Sequence, residues 1–240
     1  LVSVAGAMRD DDRKITFFPL LKKTLSAIHG EIGIDAASAA MKNREMFKTN
    51  TYLGVDIDLE ALKKGLAKDQ NPNTFGLLAN ITQLDKLPSS CADLVVSTNT
   101  LAHLPPHEIC STVQNLMRLT QKNGTTVLQL VLNESFDPVV QLAKDTFHRV
   151  KIVFYQNRLS YAYEKFFEHQ GDLGYHSLAS ARIFKLLSYL ISRPEFLTCG
   201  HRGSNRQALI ILSQKKSPTE QQRLELSQFH QVADRLYRLN

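Results

Sequence analysis

The sequence predicts an α/β fold, with a mostly parallel sheet of seven strands and helices on both of its faces. Strand-like runs alternate with helical patterns along the chain, which is typical of a parallel sheet with helical crossovers. These runs are apolar almost throughout, as in strands that are buried on both faces. The chain has 240 residues, of which 43% are hydrophobic, and a chain of this size can bury a large core without disulfides.

In the first half of the chain, segments of helical pattern separate the strand-like runs. Strands are expected at residues 31–36, 51–56, 74–79 and 93–98. A helix is predicted over 15–28, where apolar residues recur at helical spacing, and another over the alanine-rich segment 36–47. Asp58 stands at the N-cap position of a third helix, whose leucines follow at helical spacing.

The second half continues this alternation. An amphipathic helix is predicted over 107–121, and Asp137 and Pro138 are expected to open the next helix. The last strands are expected at 125–132, 150–155 and 208–212. We expect a single domain over 1–240, with a core at about 15–213, a helical insertion at about 158–195 and a C-terminal helical tail at about 217–240.

The predicted insertion contains a segment, 177–192, that is apolar on most sides. A helix that is apolar all round must be buried against another surface. Three alternatives are open for the surface that buries this helix. It packs on the sheet's own helices as an extension of the core, forms the interface of a homodimer, or covers an apolar substrate as a lid. Leu187→Asp is therefore predicted to destabilise or disaggregate the protein before it changes the affinity for a ligand.

The charge and the cysteines limit the class of protein. The formal charge is +6, but the lysines and arginines are scattered, which is typical of a solvated surface and does not require a nucleic-acid partner. The three cysteines have no zinc-site spacing and predict a reduced, cytoplasmic protein. The sequence has no signal peptide pattern and no apolar run near the roughly 20 residues of a membrane span. It begins with Leu1 rather than Met, which is compatible with a piece of a longer protein.

Asp56 ends the apolar run of the second predicted strand. In an open α/β sheet, ligands bind at the carboxyl ends of the strands. A carboxylate there suits the two hydroxyls of a ribose, because it offers two acceptor oxygens and no donor. A plain strand-end aspartate is the alternative interpretation.

Four segments in order resemble the motifs of class I, Rossmann-like, S-adenosylmethionine-dependent methyltransferases. They are GVDID at 54–58, LANI at 78–81, DLVVSTNTLAHLP at 93–105 and KNGTTV at 122–127. The resemblance implies S-adenosylmethionine as the cofactor. It also implies the residues of the cofactor site: Asp56 and Ile57 at the ribose, Asn80 or Ile81 at the adenine, and Thr98 and Asn99 along the pocket.

The glycine-rich first motif of that family is altered in this chain. In the family, an acid precedes a loop of alternating glycines, which let the backbone approach the cofactor. In one register Glu31 is the acid and Gly33 the first glycine, followed by Asp35 and Ala37. In the register that we favour, Asp35 is the acid at the strand end, and Ala37 and Ala39 take the glycine positions. Asp35 could then reach the cofactor's ammonium group through water.

Methyl transfer from a sulfonium is an in-line displacement, in which a base is needed only if the acceptor must lose a proton. His103 follows the fourth strand and is the candidate catalytic residue, with a packing role below the site as the alternative. His103 and His107 have the spacing of a helical metal site, but Pro105 and Pro106 between them break helical geometry, so no metal site is expected.

The resemblance also bears on the substrate. Methyltransferases that act on amino groups of bases or of glutamine carry an Asn/Asp-Pro-Pro-aromatic tetrapeptide, and this chain has STNT at 97–100 in its place. A small-molecule substrate is therefore expected. Two alternatives stay open: a non-catalytic binding or partner subunit, suggested by the altered glycine motif, and an RNA or DNA methyltransferase, suggested by the charge.

Overall fold

The structure is a computed structural model and describes residues 16–162, 165, 190, 201–217 and 220–239. Contacts divide the chain into two compact units, Leu1–Thr24 with Val153–Ala208 and Leu25–Ile152 with Leu209–Asn240. The predicted helical insertion, including Leu187, lies almost entirely outside the described residues and stays a prediction.

The described strands form one sheet of nine, in the order β6-β7-β5-β4-β1-β2-β3-β9-β8. They are β1 (His29–Ala36), β2 (Lys48–Asp56), β3 (Thr74–Leu78), β4 (Ala92–Ser97), β5 (Thr120–Val131), β6 (Phe147–Asn157), β7 (Asn205–Lys215), β8 (His230–Ala233) and β9 (Leu236–Arg238). The run from β5 through β4, β1, β2 and β3 to β9 is parallel. The predicted α/β class with a mostly parallel sheet is confirmed.

The order of the strands reverses at β1. From β1 the chain moves outward to β2 and β3 on one side, then returns to β4 and β5 on the other side. Connections therefore leave the carboxyl ends of β1 and β4 in opposite directions, which opens a crevice where α/β proteins bind ligands.

Four α-helices are described over their full length: α1 (Phe17–Leu25), α2 (Leu59–Lys68), α3 (Pro106–Leu119) and α4 (Phe136–Thr146). The predicted N-cap of α2 is confirmed, since the Asp58 carboxylate accepts from the backbone N–H of Glu60 at 2.9 Å and of Ala61 at 3.0 Å. In α3, Pro106 occupies the first turn, where no intrahelical N–H bond is lost. The predicted apolar stripe of α3 is buried at Ile109, Val113, Leu116 and Met117.

The first unit has an aromatic core in its described part. Phe17 of α1 stacks on Tyr155 of β6, with the ring centroids 5.6 Å apart. The Tyr155 hydroxyl donates to Gln207 Oε1 at 2.6 Å, so its buried polar end is satisfied.

The predicted helix over 36–47 is wrong. Turns and a short 3-10 helix, Arg44–Met46, connect β1 to β2. Three glycines leave room for the Met41 side chain: an added Cβ would lie 3.2 Å from it at Gly54, 2.7 Å at Gly65 and 3.5 Å at Gly76. Burial of Met41 therefore holds the segment against the sheet, and tertiary packing overrides the helix propensity of alanine.

The predicted C-terminal helical tail is also wrong in its described part. Residues 230–238 form the β8–β9 hairpin, which explains why the sheet has nine strands rather than seven. β9 pairs in parallel with β3 through Gly76, Leu77 and Leu78. A helix uses its own backbone groups internally and could not pair with the backbone N–H and C=O groups along the edge of β3. A strand at this edge pairs with them.

None of the helices in the described part of the chain is long and apolar enough to cross a membrane.

Candidate functional site

Asp35 lies at the carboxyl end of β1 and is fully buried. Each of its oxygens has a donor: the Tyr52 hydroxyl lies 2.8 Å from Oδ2, and the Asn43 side-chain amide lies 3.3 Å from Oδ1. Burial raises the pKa of this carboxyl from 3.8 to about 6, although the two hydrogen bonds act in the opposite direction. Asp35 is therefore a carboxyl group that changes its charge near neutral pH.

The segment after β1, residues 37–43, is here named the 37–43 loop. Ala37 has φ 65°, Ala39 has φ 48° and Met41 has φ 56°. These left-handed conformations are the ones that glycine adopts at little steric cost and that other residues adopt rarely. The loop therefore has alternating glycine-like backbone conformations, but without glycines.

This geometry distinguishes the two registers of the first motif. Gly33 lies inside β1, where an added Cβ would come within 2.6 Å of Phe47 and Thr49. Gly33 is therefore a packing position in the strand and not part of the loop. Asp35 is at the strand end, and Ala37 and Ala39 follow it in the loop; a cofactor role for Gly33, Asp35 and Ala37 stays a prediction.

Asp56 ends β2 beside this loop. Its Oδ2 accepts from the Ala39 N–H at 2.7 Å, and its Oδ1 accepts from the Asp58 N–H at 2.9 Å. The carboxylate is half-buried, and each oxygen keeps a second lone pair for another donor. The neighbouring Ile57 is 70% exposed. Asp56 therefore fixes the loop and can still accept bonds from a ligand.

Asn43 connects the loop to two strand ends. Its side-chain amide lies 3.3 Å from Asp35 Oδ1 and 3.3 Å from Thr98 Oγ1, and its side chain is buried. Thr98 itself is buried at the end of β4. Asn43 was not predicted as a site residue from the sequence, because it lies in a segment predicted as helix and its spacing from other polar residues matches no motif.

Beyond β4 the chain turns sharply at Asn99, which has φ 59°. The Asn99 N–H donates to Oε1 of Gln129, a buried residue of β5. Gln129 was not predicted as a site residue, although a single glutamine inside the apolar run TTVLQLVL at 125–132 was a signal in the sequence. The Ser97 hydroxyl at the same end of β4 is buried, with no partner within the described residues, so a ligand or water could bond to it.

The remaining predicted site residues lie in two turns. Asn80 and Ile81 follow β3, and His103 follows β4. Asn80 is exposed, and its Oδ1 accepts from the Thr82 N–H at 3.1 Å, which caps the 3-10 helix Ile81–Lys86. Ile81 is 4% exposed, so its side chain contributes to the core. His103 is exposed in the 3-10 helix Leu101–His103. The predicted contacts of these residues with a cofactor or substrate stay predictions.

The strand order, the crevice at β1 and the acids at two strand ends define a class of protein: open α/β folds that bind a nucleoside ligand at a topological switch point. Residues 31–128 match the family described as the methyltransferase domain. No curated protein sequence matches the chain significantly.

Solved structures agree with this family. The N-methyltransferase NodS from Bradyrhizobium japonicum WM9 superposes with a TM-score of 0.56 at 11% identity, over 86% of this chain and 99% of that chain. A SAM-dependent methyltransferase from Archaeoglobus fulgidus has a TM-score of 0.52 at 15% identity, over 85% and 94%. Phosphoethanolamine N-methyltransferase 2 of Haemonchus contortus, in complex with S-adenosyl-L-methionine, has a TM-score of 0.53 at 12% identity. That match covers 82% of this chain, which spans about half (51%) of the Haemonchus chain.

Residues 31–128 therefore match the methyltransferase domain family, and the solved structures show that the chain has the class I, Rossmann-like fold. The resemblance predicted from the sequence is confirmed.

Proposed function

We propose that this chain is an S-adenosylmethionine-dependent methyltransferase that acts on a small molecule. The observation that carries the proposal is the 37–43 loop, which keeps glycine-like left-handed conformations at Ala37 and Ala39. It lies between the carboxylates that end β1 and β2. The loop that the family builds from glycines thus has a corresponding path here, built from alanines.

The residues at the strand ends fit the cofactor. Asp56 has lone pairs free for the ribose hydroxyls, and the exposed Ile57 offers an apolar surface beside it. Asp35 would act on the ammonium group through water. When bound, the cofactor supplies an activated methyl group and its own leaving group. The protein's contribution is then to hold the acceptor in line and to exclude water.

The acceptor would lie beside the turn after β4. Gln129 fixes the backbone at Asn99, so the segment that carries His103 starts from a defined point. His103 is exposed and could remove a proton from an acceptor that must lose one. A small-molecule acceptor is supported by the STNT sequence at 97–100 and by the scattered distribution of basic residues.

The first test is calorimetric titration with S-adenosylhomocysteine. Asp56→Ala should weaken binding by about 1.5–3 kcal/mol, the range for hydrogen bonds to a charged group. Asp58→Ala is the matched control, because it removes an acid two residues away that caps α2. It should cost about 1 kcal/mol of folding stability and leave S-adenosylhomocysteine affinity unchanged.

The outcomes separate the alternatives. A wild-type chain that does not bind S-adenosylhomocysteine would contradict the proposal and favour a non-catalytic binding subunit. Binding that is equally weakened in both variants would remove the role of Asp56. A steep loss of affinity for RNA or DNA with increasing salt would favour a nucleic-acid substrate instead.

A further inference from the structure

Asn43 and Tyr52 surround Asp35 with donors. The Tyr52 hydroxyl and the Asn43 amide each donate to a different oxygen of the carboxylate, which is fully buried. A hydrogen-bond donor favours the ionised form of a carboxylate, and burial disfavours it. The two side-chain donors on this buried carboxylate are therefore the main protein groups that favour its ionised form.

We propose that Asn43 is a positioning residue that holds Asp35 ionised beneath the 37–43 loop, so that the charge can act on the cofactor. The inference rests on the proposed function and adds a residue that the family motif does not identify. Through its second contact, to Thr98, Asn43 also joins the ends of β1 and β4 on either side of the crevice. One amide thus fixes both the charge and the shape of the site.

The charged groups near this cluster do not favour the ionised form of Asp35 as Asn43 does. Asp56 on β2 is itself an acid and disfavours the ionised form of Asp35. Arg44 and Asp69 act on Tyr52 rather than on Asp35. Burial and then Asp35 raise the pKa of Tyr52 well above its ordinary value, so its hydroxyl stays protonated and remains a donor.

The first variant is Asn43→Leu, which removes the donor and keeps a similar volume. The midpoint of the Asp35 titration should rise by about one pH unit or more. Affinity for S-adenosylhomocysteine at pH 7 should fall about twofold for a rise of one pH unit and about tenfold for a rise of two, because more of the protein then carries a neutral Asp35. A purely structural role would lower stability and leave the midpoint unchanged.

Two further variants keep the test decisive. Tyr52→Phe removes the other donor with the ring retained, and should move the midpoint in the same direction. Asn50→Leu is the matched control, because the Asn50 amide donates to Glu31 Oε1 at 2.9 Å in an exposed position near the other end of the two strands. It should leave both the midpoint and the affinity unchanged.

Two measurements on the full chain separate this inference from the proposed function. Carbon-13 NMR of the side-chain carboxyl of Asp35, assigned with Asp35→Asn, follows its titration without any ligand. Calorimetry from about pH 5 to 8 follows S-adenosylhomocysteine affinity. An unchanged Asp35 midpoint in Asn43→Leu overturns the inference, whatever Tyr52→Phe does; a shift in Tyr52→Phe then shows that the NMR titration can detect the loss of a donor. A wild-type chain that binds no S-adenosylhomocysteine overturns the proposed function, and the NMR titration still decides what Asn43 does to Asp35.

Discussion

Three aspartates within 24 residues of chain show how surroundings assign different roles to one residue type. Asp35 is fully buried and has a side-chain donor at each oxygen. Asp56 is half-buried and accepts backbone N–H groups from the 37–43 loop and from its own turn. Asp58 is exposed and caps α2. Burial raises the pKa of Asp35 because it removes water from around the charge.

The raised pKa of Asp35 makes stability depend on pH. Its folded-state pKa of about 6 lies above the ordinary value of 3.8. The associated stability is therefore fully present below about pH 4 and is lost as the pH rises through about 6. Asp35→Asn removes this titration. Relative to wild type, the variant should gain up to about 3 kcal/mol of unfolding free energy between about pH 4 and 7.

Urea unfolding of both proteins across that pH range measures the difference. Any constant cost of the substitution cancels, since only the change with pH is compared. A difference that stays flat with pH would show that Asp35 titrates at its ordinary pKa in the folded protein, and one that moves in favour of the wild type as the pH rises would show a lowered pKa. Either result contradicts the prediction.

At the scale of elements, the sequence predicted strands more accurately than connections. β1 to β5 lie within a few residues of their expected positions, because an apolar run bounded by polar residues has few other interpretations. The 37–43 loop was missed, since alanine favours helix locally and the pocket for Met41 is formed by Gly54, Gly65 and Gly76, which are distant in sequence. At the site, Asp56 could be placed from the sequence, whereas Asn43 could not.

The left-handed conformation of the loop can be tested by a pair of identical substitutions. Ala37 has φ 65°, so Ala37→Gly should relieve about 1–2 kcal/mol of strain. The greater freedom of glycine in the unfolded chain offsets about 0.5–1 kcal/mol of this. The variant should be as stable as the wild type or up to about 1.5 kcal/mol more stable.

Ala61→Gly in α2 is the matched control, because it makes the same change in a regular helix and should cost about 1 kcal/mol. Thermal and urea unfolding of the two variants compare the signs directly. Equal destabilisation by both would mean that residue 37 does not hold a left-handed conformation in solution.

At the scale of the whole molecule, the β8–β9 hairpin extends the sheet at the edge that β3 would otherwise leave open. Leu236 of β9 is fully buried and contacts the backbone position of Gly76. The Arg235 guanidinium donates hydrogen bonds to the carbonyl of Leu66 in the last turn of α2 and to the carbonyls of Asp69 and Asn71, which follow the helix. The hairpin thus provides hydrogen-bond partners for the backbone of β3 and for carbonyls at the end of α2. Without it, β3 would be an open apolar edge, and such an edge is prone to pair with other chains.

Leu236→Asp should therefore destabilise the whole second unit and promote aggregation. The substitution places a charge at a position that is 0% exposed and separates β9 from β3, which should cost about 3 kcal/mol or more. Ala233→Asp is the matched control, because it puts the same side chain on the exposed outer strand β8 and should change stability by no more than about 0.5 kcal/mol. Urea unfolding with light scattering compares the two. A Leu236→Asp protein that stays monomeric and as stable as Ala233→Asp would show that the hairpin does not close the sheet.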